Sequence, residues 1–123
     1  LRVKSSFLAH EAYQGFPGLL HGGIITALLD EVMSRVSLIL ENRWTMTVKM
    51  ETQFRKPVHI GSRVTMFGEI DQANKRMPRV KGELLLADGS VAATARGSFV
   101  YVPATQLSQL ASGYPELAAS WMK

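Results

Sequence analysis

Two adjacent glycines and a carboxylate are the residues of this sequence whose types and spacing could support chemistry. Gly22 and Gly23 open a segment with helical periodicity. Glycines at such a turn leave backbone N–H groups unpaired, and the helix dipole adds partial positive charge in front of them. The turn can therefore hold an anion or the oxyanion of an acyl-transfer reaction. The structural alternative is that both glycines only permit a tight turn.

Asp30 lies eight residues after Gly22 and supplies the second kind of group that such a reaction needs. Its carboxylate could deprotonate a water for attack on an acyl carbonyl, or attack that carbonyl itself. Its alternative role is that of a solvated surface carboxylate. His21 could be a base or a ligand, but a single histidine before a helix is more often structural. We therefore expect His21 to position its neighbours.

A helix must carry these groups. Apolar residues recur at i, i+3, i+4 and i+7 from Ile25 onward, which predicts an amphipathic helix from Gly23 to about Glu41. The remaining arc is a polar stripe that includes Asp30. Eight helical residues span roughly 12 Å, so Gly22 and Asp30 of one chain cannot both contact one carbonyl carbon. If both act on the same bond, one must come from a two-fold partner.

Strands follow the predicted helix. Residues 43–55 alternate strictly between apolar and polar side chains, which predicts a long half-buried strand with Thr47 opposite Trp44 and Met46. On that polar face Thr47 could orient the attacking water, or it is an ordinary exposed strand residue. Residues 64–70 alternate again and predict a second strand, antiparallel to the first if the connection is short.

A hairpin completes the predicted sheet. Residues 80–86 and 91–102 flank Asp88 and Gly89, a dipeptide typical of a two-residue hairpin turn. Long antiparallel strands after one long buried helix must wrap around it, which predicts an α+β hotdog fold. We expect one domain over residues 1–123, with a core at about 4–102 and a weakly helical or loose tail at 103–123. Because the chain opens on Leu1, we also expect N-terminal residues, and with them a first strand, to be processed, trimmed or missing.

Composition excludes several classes of protein. The 123 residues contain no Cys, which removes disulfides, thiolate metal sites and Cys nucleophiles. The longest apolar stretch, residues 19–29, is interrupted by polar residues and glycines, so the sequence predicts neither a membrane span nor a signal peptide. We expect a soluble cytoplasmic protein that uses no metal and no resident cofactor.

The positive charge is concentrated in the middle of the chain. Residues 43–81 hold nine Lys or Arg against three acidic residues, within a net charge of +4 for the whole chain. Arg55, Lys56, Arg76 and Arg79 are the candidates for binding an anion. The alternative is a solvated strand face. No nucleic-acid-binding motif accompanies the charge, so we expect no nucleic-acid partner.

One segment carries a family resemblance. Residues 13–23, YQGFPGLLHGG, followed by LDE at 29–31, resemble the hotdog-fold acyl-CoA thioesterases of the phenylacetate-pathway type. The resemblance continues through Thr47 to Pro57 and Gly61 and on to the final strands. One departure is Gly15, where several members carry Asn; Gln14 is the neighbouring amide.

The resemblance implies hydrolysis of acyl-CoA thioesters by a homo-oligomer, a dimer or a dimer of dimers. It gives Asp30 the role of base or nucleophile and the Gly22 N–H that of oxyanion donor, with His21 and Thr47 in support. Gly23 and Gln14 join the substrate-binding residues, and coenzyme A enters only as part of the substrate. The acyl group is not readable, because apolar walls fit aromatic and aliphatic chains alike.

Two alternatives stay open. A hotdog dehydratase or hydratase also acts on acyl thioesters, and it needs a base for carbon-acid deprotonation. His10 and Glu31 are the only candidates for that base, and neither stands in a recognised dehydratase motif. A non-catalytic acyl-CoA-binding domain would show the same basic middle without turnover.

Overall fold

The computed structural model describes residues 1–113 and residue 116, and within them five strands and two helices succeed one another along the chain. They are β1 (Val3–Leu8), α1 (Gly22–Glu41), β2 (Thr45–Phe54), β3 (Arg63–Gln72), β4 (Arg79–Leu85), β5 (Val91–Tyr101) and α2 (Ala104–Ser112). A short 3₁₀ turn, Glu11–Tyr13, lies between β1 and α1. The tail predicted as weakly helical or loose is helical over α2, and its residues 114, 115 and 117–123 lie outside the described residues.

α1 is the helix that the apolar periodicity predicts. His21 caps its N-terminus, and Asn42, in the left-handed conformation at φ 55°, ends it by donating its N–H to the Leu38 and Ser37 carbonyls. The apolar side of α1 faces the sheet and contacts all five strands. Its buried residues are Ile25, Leu29, Val32, Met33, Val36 and Ser37.

The sheet is fully antiparallel, with strand order β1-β3-β4-β5-β2. Side chains from one face of each strand pack on α1, so the core lies between the helix and the inner face of the sheet. Its largest fully buried members include Phe99, Leu29, Met33 and Leu84. A five-stranded antiparallel sheet around one long helix is the predicted α+β hotdog architecture.

Three details differ from the sequence predictions. A strand that the sequence patterns do not predict precedes α1, because Val3–Leu8 forms β1 and pairs with β3. β2 and β3 run antiparallel in direction but are not neighbours, since β4 and β5 lie between them. The connection of residues 55–62 therefore crosses to the far side of the sheet.

The third difference is the β4–β5 turn. Leu86 and Ser90 are joined by a 2.9 Å backbone hydrogen bond, so residues 87–89 form a three-residue connection rather than a two-residue one. Gly89 has φ 86°, as the predicted need for positive φ requires. The hydroxyl and N–H of Ser90 donate to Asp88 and lower the pKa of that carboxyl.

The far end of α1 is fixed to β5 by a small polar cluster. The Tyr101 hydroxyl donates to Glu41 at 2.8 Å, and the Arg43 guanidinium stacks 3.5 Å from the Tyr101 ring centroid. Burial raises the pKa of Tyr101, and the Glu41 carboxylate beside it acts in the same direction. These contacts help to fix the helix relative to the strands.

β2 is an edge strand and carries a bulge. Its register with β5 shifts between Thr47 and Lys49, so the strict alternation predicted for residues 43–55 fails at Val48. Met50 pairs with the buried Gly97 and Thr47 with the buried Phe99, and both therefore face inward, whereas Met46 pairs with the half-buried Val100. The predicted single apolar face of this strand is wrong, because the bulge divides it between two sides.

Candidate active site

The structure brings Asp30 and Thr47 together. The Thr47 hydroxyl donates to Asp30 Oδ1 at 2.7 Å, across 17 residues of sequence. Asp30 is half-buried on α1 and Thr47 is exposed on β2. This contact joins the predicted base or nucleophile to its predicted support, and it leaves Asp30 Oδ2 without a protein partner among the described residues.

The β2 bulge makes this contact possible. With unbroken alternation, Thr47 would share the outer face with Lys49 and Glu51. The extra residue at Val48 turns Thr47 inward, toward α1. Re-aiming a side chain beside a functional site is a common use of such bulges. Strict period-two reasoning could not have placed Thr47 on the helix side.

The N-terminus of α1 is shaped by His21. Its Nδ1 accepts the Gly23 N–H at 2.8 Å, and its carbonyl accepts the N–H groups of Ile24 and Ile25. The prediction of two free glycine N–H groups is therefore wrong for Gly23, because the imidazole takes that donor. The Gly22 N–H has no acceptor in the described part of the chain, and it is the donor that the family resemblance assigns to an oxyanion.

The segment before the helix forms a tight loop. Phe16, Pro17, Gly18 and Leu19 form a turn in which the Leu19 N–H donates to the Phe16 carbonyl at 2.9 Å, with Gly18 at φ 84°. The Gln14 side-chain oxygen accepts the Gly18 N–H at 3.1 Å. Half of this amide is thus used to fold the loop, and only its NH₂ group is left for a substrate.

Phe54 is a neighbour of the site that sequence reasoning missed. A methyl group added to Gly22 would lie 3.6 Å from its ring, so this end of β2 lies against the N-terminus of α1. The side chain is 57% exposed. β2 therefore runs past both halves of the candidate site, with Thr47 beside Asp30 and Phe54 beside Gly22.

The four candidate cations do not gather in one place. The Arg55 and Lys56 N–H groups donate to the Ala92 carbonyl, whereas Arg79 pairs with Ser98. Ala92 and Ser98 are six residues apart on β5, so the two pairs of cations are separated by roughly 20 Å along the strand. Arg55 also lines a groove of about 410 Å³ on the outer face of the sheet.

That outer groove is nearly balanced in charge. Arg2 lies 3.7 Å from Glu83, Lys81 lies 3.6 Å from Glu69, and Arg55 contacts Gln53 at 3.3 Å. Arg2 also stacks 4.1 Å from the Phe67 ring centroid. Most cations of the groove are thus paired with acidic groups of the same face, which weakens the interpretation of the basic middle as one continuous anion site.

The described residues show neither a metal-binding cluster nor a membrane-spanning helix. They contain no cluster of three or more His, Asp or Glu side chains that could hold a metal ion. They also contain no helix that is long and apolar enough to cross a membrane.

A five-stranded sheet around one helix, with a carboxylate on that helix and a glycine turn at its start, defines a hotdog protein with a candidate acyl-transfer site. The family model described as Thioesterase superfamily matches residues 17–101, more than two thirds of the chain. The chain belongs to the thioesterase superfamily.

Solved structures agree with this fold. Protein RHA08564, a thioesterase superfamily protein, is 29% identical with a TM-score of 0.73, and the match covers 80% of this chain and 48% of that one. This chain thus matches about half the length of that relative. A comparison with curated protein sequences finds no match.

Two further likenesses are more distant. The PaaI protein of the E. coli phenylacetic acid degradation operon is 14% identical with a TM-score of 0.77, over 83% of this chain and 73% of that one. The acyl-CoA hydrolase of Staphylococcus aureus, in complex with butyryl coenzyme A, is 15% identical with a TM-score of 0.77, over 85% and 65%. At these identities the likeness shows the fold alone.

Proposed function

We propose that this protein hydrolyses acyl-CoA thioesters to the free acid and coenzyme A. The observation that carries the proposal is the 2.7 Å hydrogen bond between Thr47 and Asp30, which holds a half-buried carboxylate in one orientation. Membership of the thioesterase superfamily supports the reaction class. The fold shared with the S. aureus acyl-CoA hydrolase supports the substrate class.

The proposed reaction needs three groups. Asp30 takes a proton from water, whose oxygen attacks the thioester carbon, or its carboxylate attacks that carbon and water cleaves the resulting anhydride. In both routes the carbon–sulfur bond breaks and coenzyme A leaves as the thiolate, which gains a proton. The Gly22 N–H stabilises the developing oxyanion, and Thr47 orients the carboxylate. The likeness to the phenylacetate-pathway type of thioesterase is part of the proposal, which leaves the acyl group open.

The active unit is proposed to be a two-fold dimer. Gly22 and Asp30 lie eight residues apart on α1, roughly 12 Å, so one thioester cannot contact both in one subunit. Antiparallel pairing of β2 with its own copy would set the Thr47 end of one strand against the Phe54 end of the other. Asp30 would then meet Gly22 of the partner subunit, and each dimer would hold two composite sites.

The exposed edge of β2 supports this pairing. β2 hydrogen-bonds to β5 on one side, and no other described strand covers its second side. Met46 and Val48 on this strand are 49% and 54% exposed. A ten-residue edge with free backbone groups and exposed apolar side chains is a template for another strand.

A charge on this edge is expected to separate the subunits. Val48→Glu would place one charge from each subunit in the proposed β2–β2 interface, whereas it removes little packing within one subunit. We expect monomers in sedimentation velocity and a loss of more than tenfold in kcat, with Tm close to that of the wild type. Leu8→Glu is the matched control, because Leu8 is 46% exposed on β1 at the opposite edge. A monomeric Val48→Glu protein with wild-type kcat would contradict the composite site.

The basic residues give a separate prediction about coenzyme A. Arg55 and Lys56 follow Phe54 directly, at the Gly22 end of β2, so we assign the phosphates of the substrate to them. The double variant Arg55→Ala/Lys56→Ala is expected to raise KM for acyl-CoA about tenfold at low salt, because charge-assisted hydrogen bonds are lost. Arg76→Ala/Arg79→Ala should change KM less. If neither double variant raises KM, the basic middle is only a solvated face.

The alternatives have less support in the described geometry. His10 accepts the Ala12 N–H at 3.0 Å, and Glu31 pairs with Arg35 at 2.6 Å, so each candidate base for a dehydratase is engaged with a local partner. A binding domain without turnover would be stabilised by acyl-CoA against heat and release no thiol. Thiol release from a panel of acyl-CoAs decides between these possibilities and also identifies the acyl group.

A further inference from the structure

The His21 imidazole is fixed between two glycines. A methyl group on Gly15 would lie 3.0 Å from ring atom Cδ2, and one on Gly23 would lie 2.9 Å from Cε1 and Nδ1. Both distances are too short for a real side chain without a shift of the ring. The bare backbone at Gly15 and Gly23 therefore leaves the room that the imidazole occupies, and the ring orientation is set from both sides.

This orientation determines where the ring carries its proton. Nδ1 accepts the Gly23 N–H at 2.8 Å, so this nitrogen has no proton of its own. A neutral imidazole carries its single proton on the other nitrogen, here Nε2. Nε2 has no hydrogen-bond partner in the described residues, and His21 is exposed. The side chain thus offers an N–H donor on the residue directly before Gly22.

We propose that the Nε2–H of His21 is a second oxyanion donor, acting beside the Gly22 N–H on the thioester carbonyl oxygen; this rests on the proposed function. Because His21 consumes the Gly23 N–H, Gly22 is left as the free glycine donor of the turn. A developing oxyanion is commonly held by more than one donor. The consecutive residues His21 and Gly22 would supply two, which makes His21 a catalytic residue as well as a helix cap.

Two amide substitutions separate the cap from the donor. Asn in His21→Asn can place its oxygen near the position of Nδ1 and keep the cap, but its nitrogen does not reach the position of Nε2. We expect kcat to fall by about 10² to 10³, with Tm within a degree or two of the wild type. Gln in His21→Gln can place its nitrogen near the position of Nε2 and loses the cap. We expect a Tm roughly 4 °C lower, and kcat within about tenfold of the wild type.

His10 provides the matched control. Its Nδ1 also accepts a backbone N–H, that of Ala12 at 3.0 Å, at the start of the 3₁₀ turn Glu11–Tyr13. His10→Asn makes the same chemical change at a cap that the proposed reaction does not use. We expect its kcat and KM to equal those of the wild type, which shows that histidine caps as such do not set the rate.

The outcomes separate this inference from the proposed function. Absence of acyl-CoA hydrolysis by the wild type overturns both. Hydrolysis by the wild type together with undiminished kcat in His21→Asn overturns the donor role of His21 alone. If His21→Asn does not fold, nitrogen-15 spectra of the wild-type ring with a non-hydrolysable thioether analogue of acyl-CoA decide the point. A proton on Nε2 whose resonance moves on binding supports the proposal, and a proton on Nδ1 overturns it.

Discussion

Substitution of Asp30 by asparagine is expected to lower kcat for acyl-CoA hydrolysis by a factor of about 10² or more. The amide introduced by Asp30→Asn could keep the contact with the Thr47 hydroxyl that the carboxylate makes at 2.7 Å, and it has almost the same volume. It can neither take a proton from water nor attack a thioester efficiently. KM should change little, because the carboxylate acts in the transition state rather than in substrate binding.

The neighbouring carboxylate supplies the control for this experiment. Glu31 is exposed and pairs with Arg35 on a different face of α1, so Glu31→Gln removes one negative charge one residue away from the candidate site. Its kcat should stay within a factor of two of the wild type. Thiol release from a panel of acyl-CoAs measures both variants. Undiminished turnover by Asp30→Asn and Asp30→Ala would exclude Asp30 as base or nucleophile.

Much of the fold could be predicted from local patterns. α1 has a 3.6-residue period sustained over about five turns, and β3 to β5 alternate with clear turn signals between them. Alternation does not predict β1, because polar and apolar residues of Val3–Leu8 do not alternate cleanly. Ser5 lies on its inner face, and the apolar Leu8 is exposed on the outer face. Strand order was also beyond local reasoning, since the place of β2 beside β5 depends on pairings about 45 residues apart.

The candidate site could be predicted in its residue types but not in its geometry. Periodicity placed Asp30 on the polar stripe of α1, while the likeness to a family drew attention to Thr47. Their contact depends on the bulge at Val48. The alternating pattern of apolar and polar residues in this strand does not predict a bulge. Likewise, the glycine pair suggested two free donors, and the His21 ring that occupies one of them depends on a side-chain rotamer.

Gly22→Pro is expected to abolish the oxyanion donor without harming the helix. Gly22 is the first residue of α1, a position where proline is favoured because its N–H has no helical partner. His21 before it has φ −61° and ψ 135°, a conformation compatible with a following proline. Loss of one such donor should lower kcat by about 10² to 10³, with Tm unchanged or raised. Gly22→Ala adds a side-chain carbon at ordinary contact distance from Phe54 and keeps the N–H, so its kcat should lie well above that of the proline variant.

Mixing this variant with Asp30→Ala is expected to restore activity, because one of the two sites of each mixed dimer receives both intact halves. The Asp30→Ala subunit supplies Gly22, and the Gly22→Pro subunit supplies Asp30. Random exchange at equal concentrations makes about half of the dimers mixed, each with one working site of two, so roughly a quarter of wild-type activity should return.

The decisive control replaces Gly22→Pro in the mixture by a chain that carries both substitutions. No mixed dimer then holds an intact Asp30, so the activity should stay at the level of the separate variants. Mass spectrometry of differently labelled subunits must first establish that exchange has occurred. If exchanged dimers of Asp30→Ala and Gly22→Pro remain inactive, the two residues do not serve one thioester from two chains. The roughly 12 Å between them on α1 would then mean that Gly22 or Asp30 has no part in the reaction.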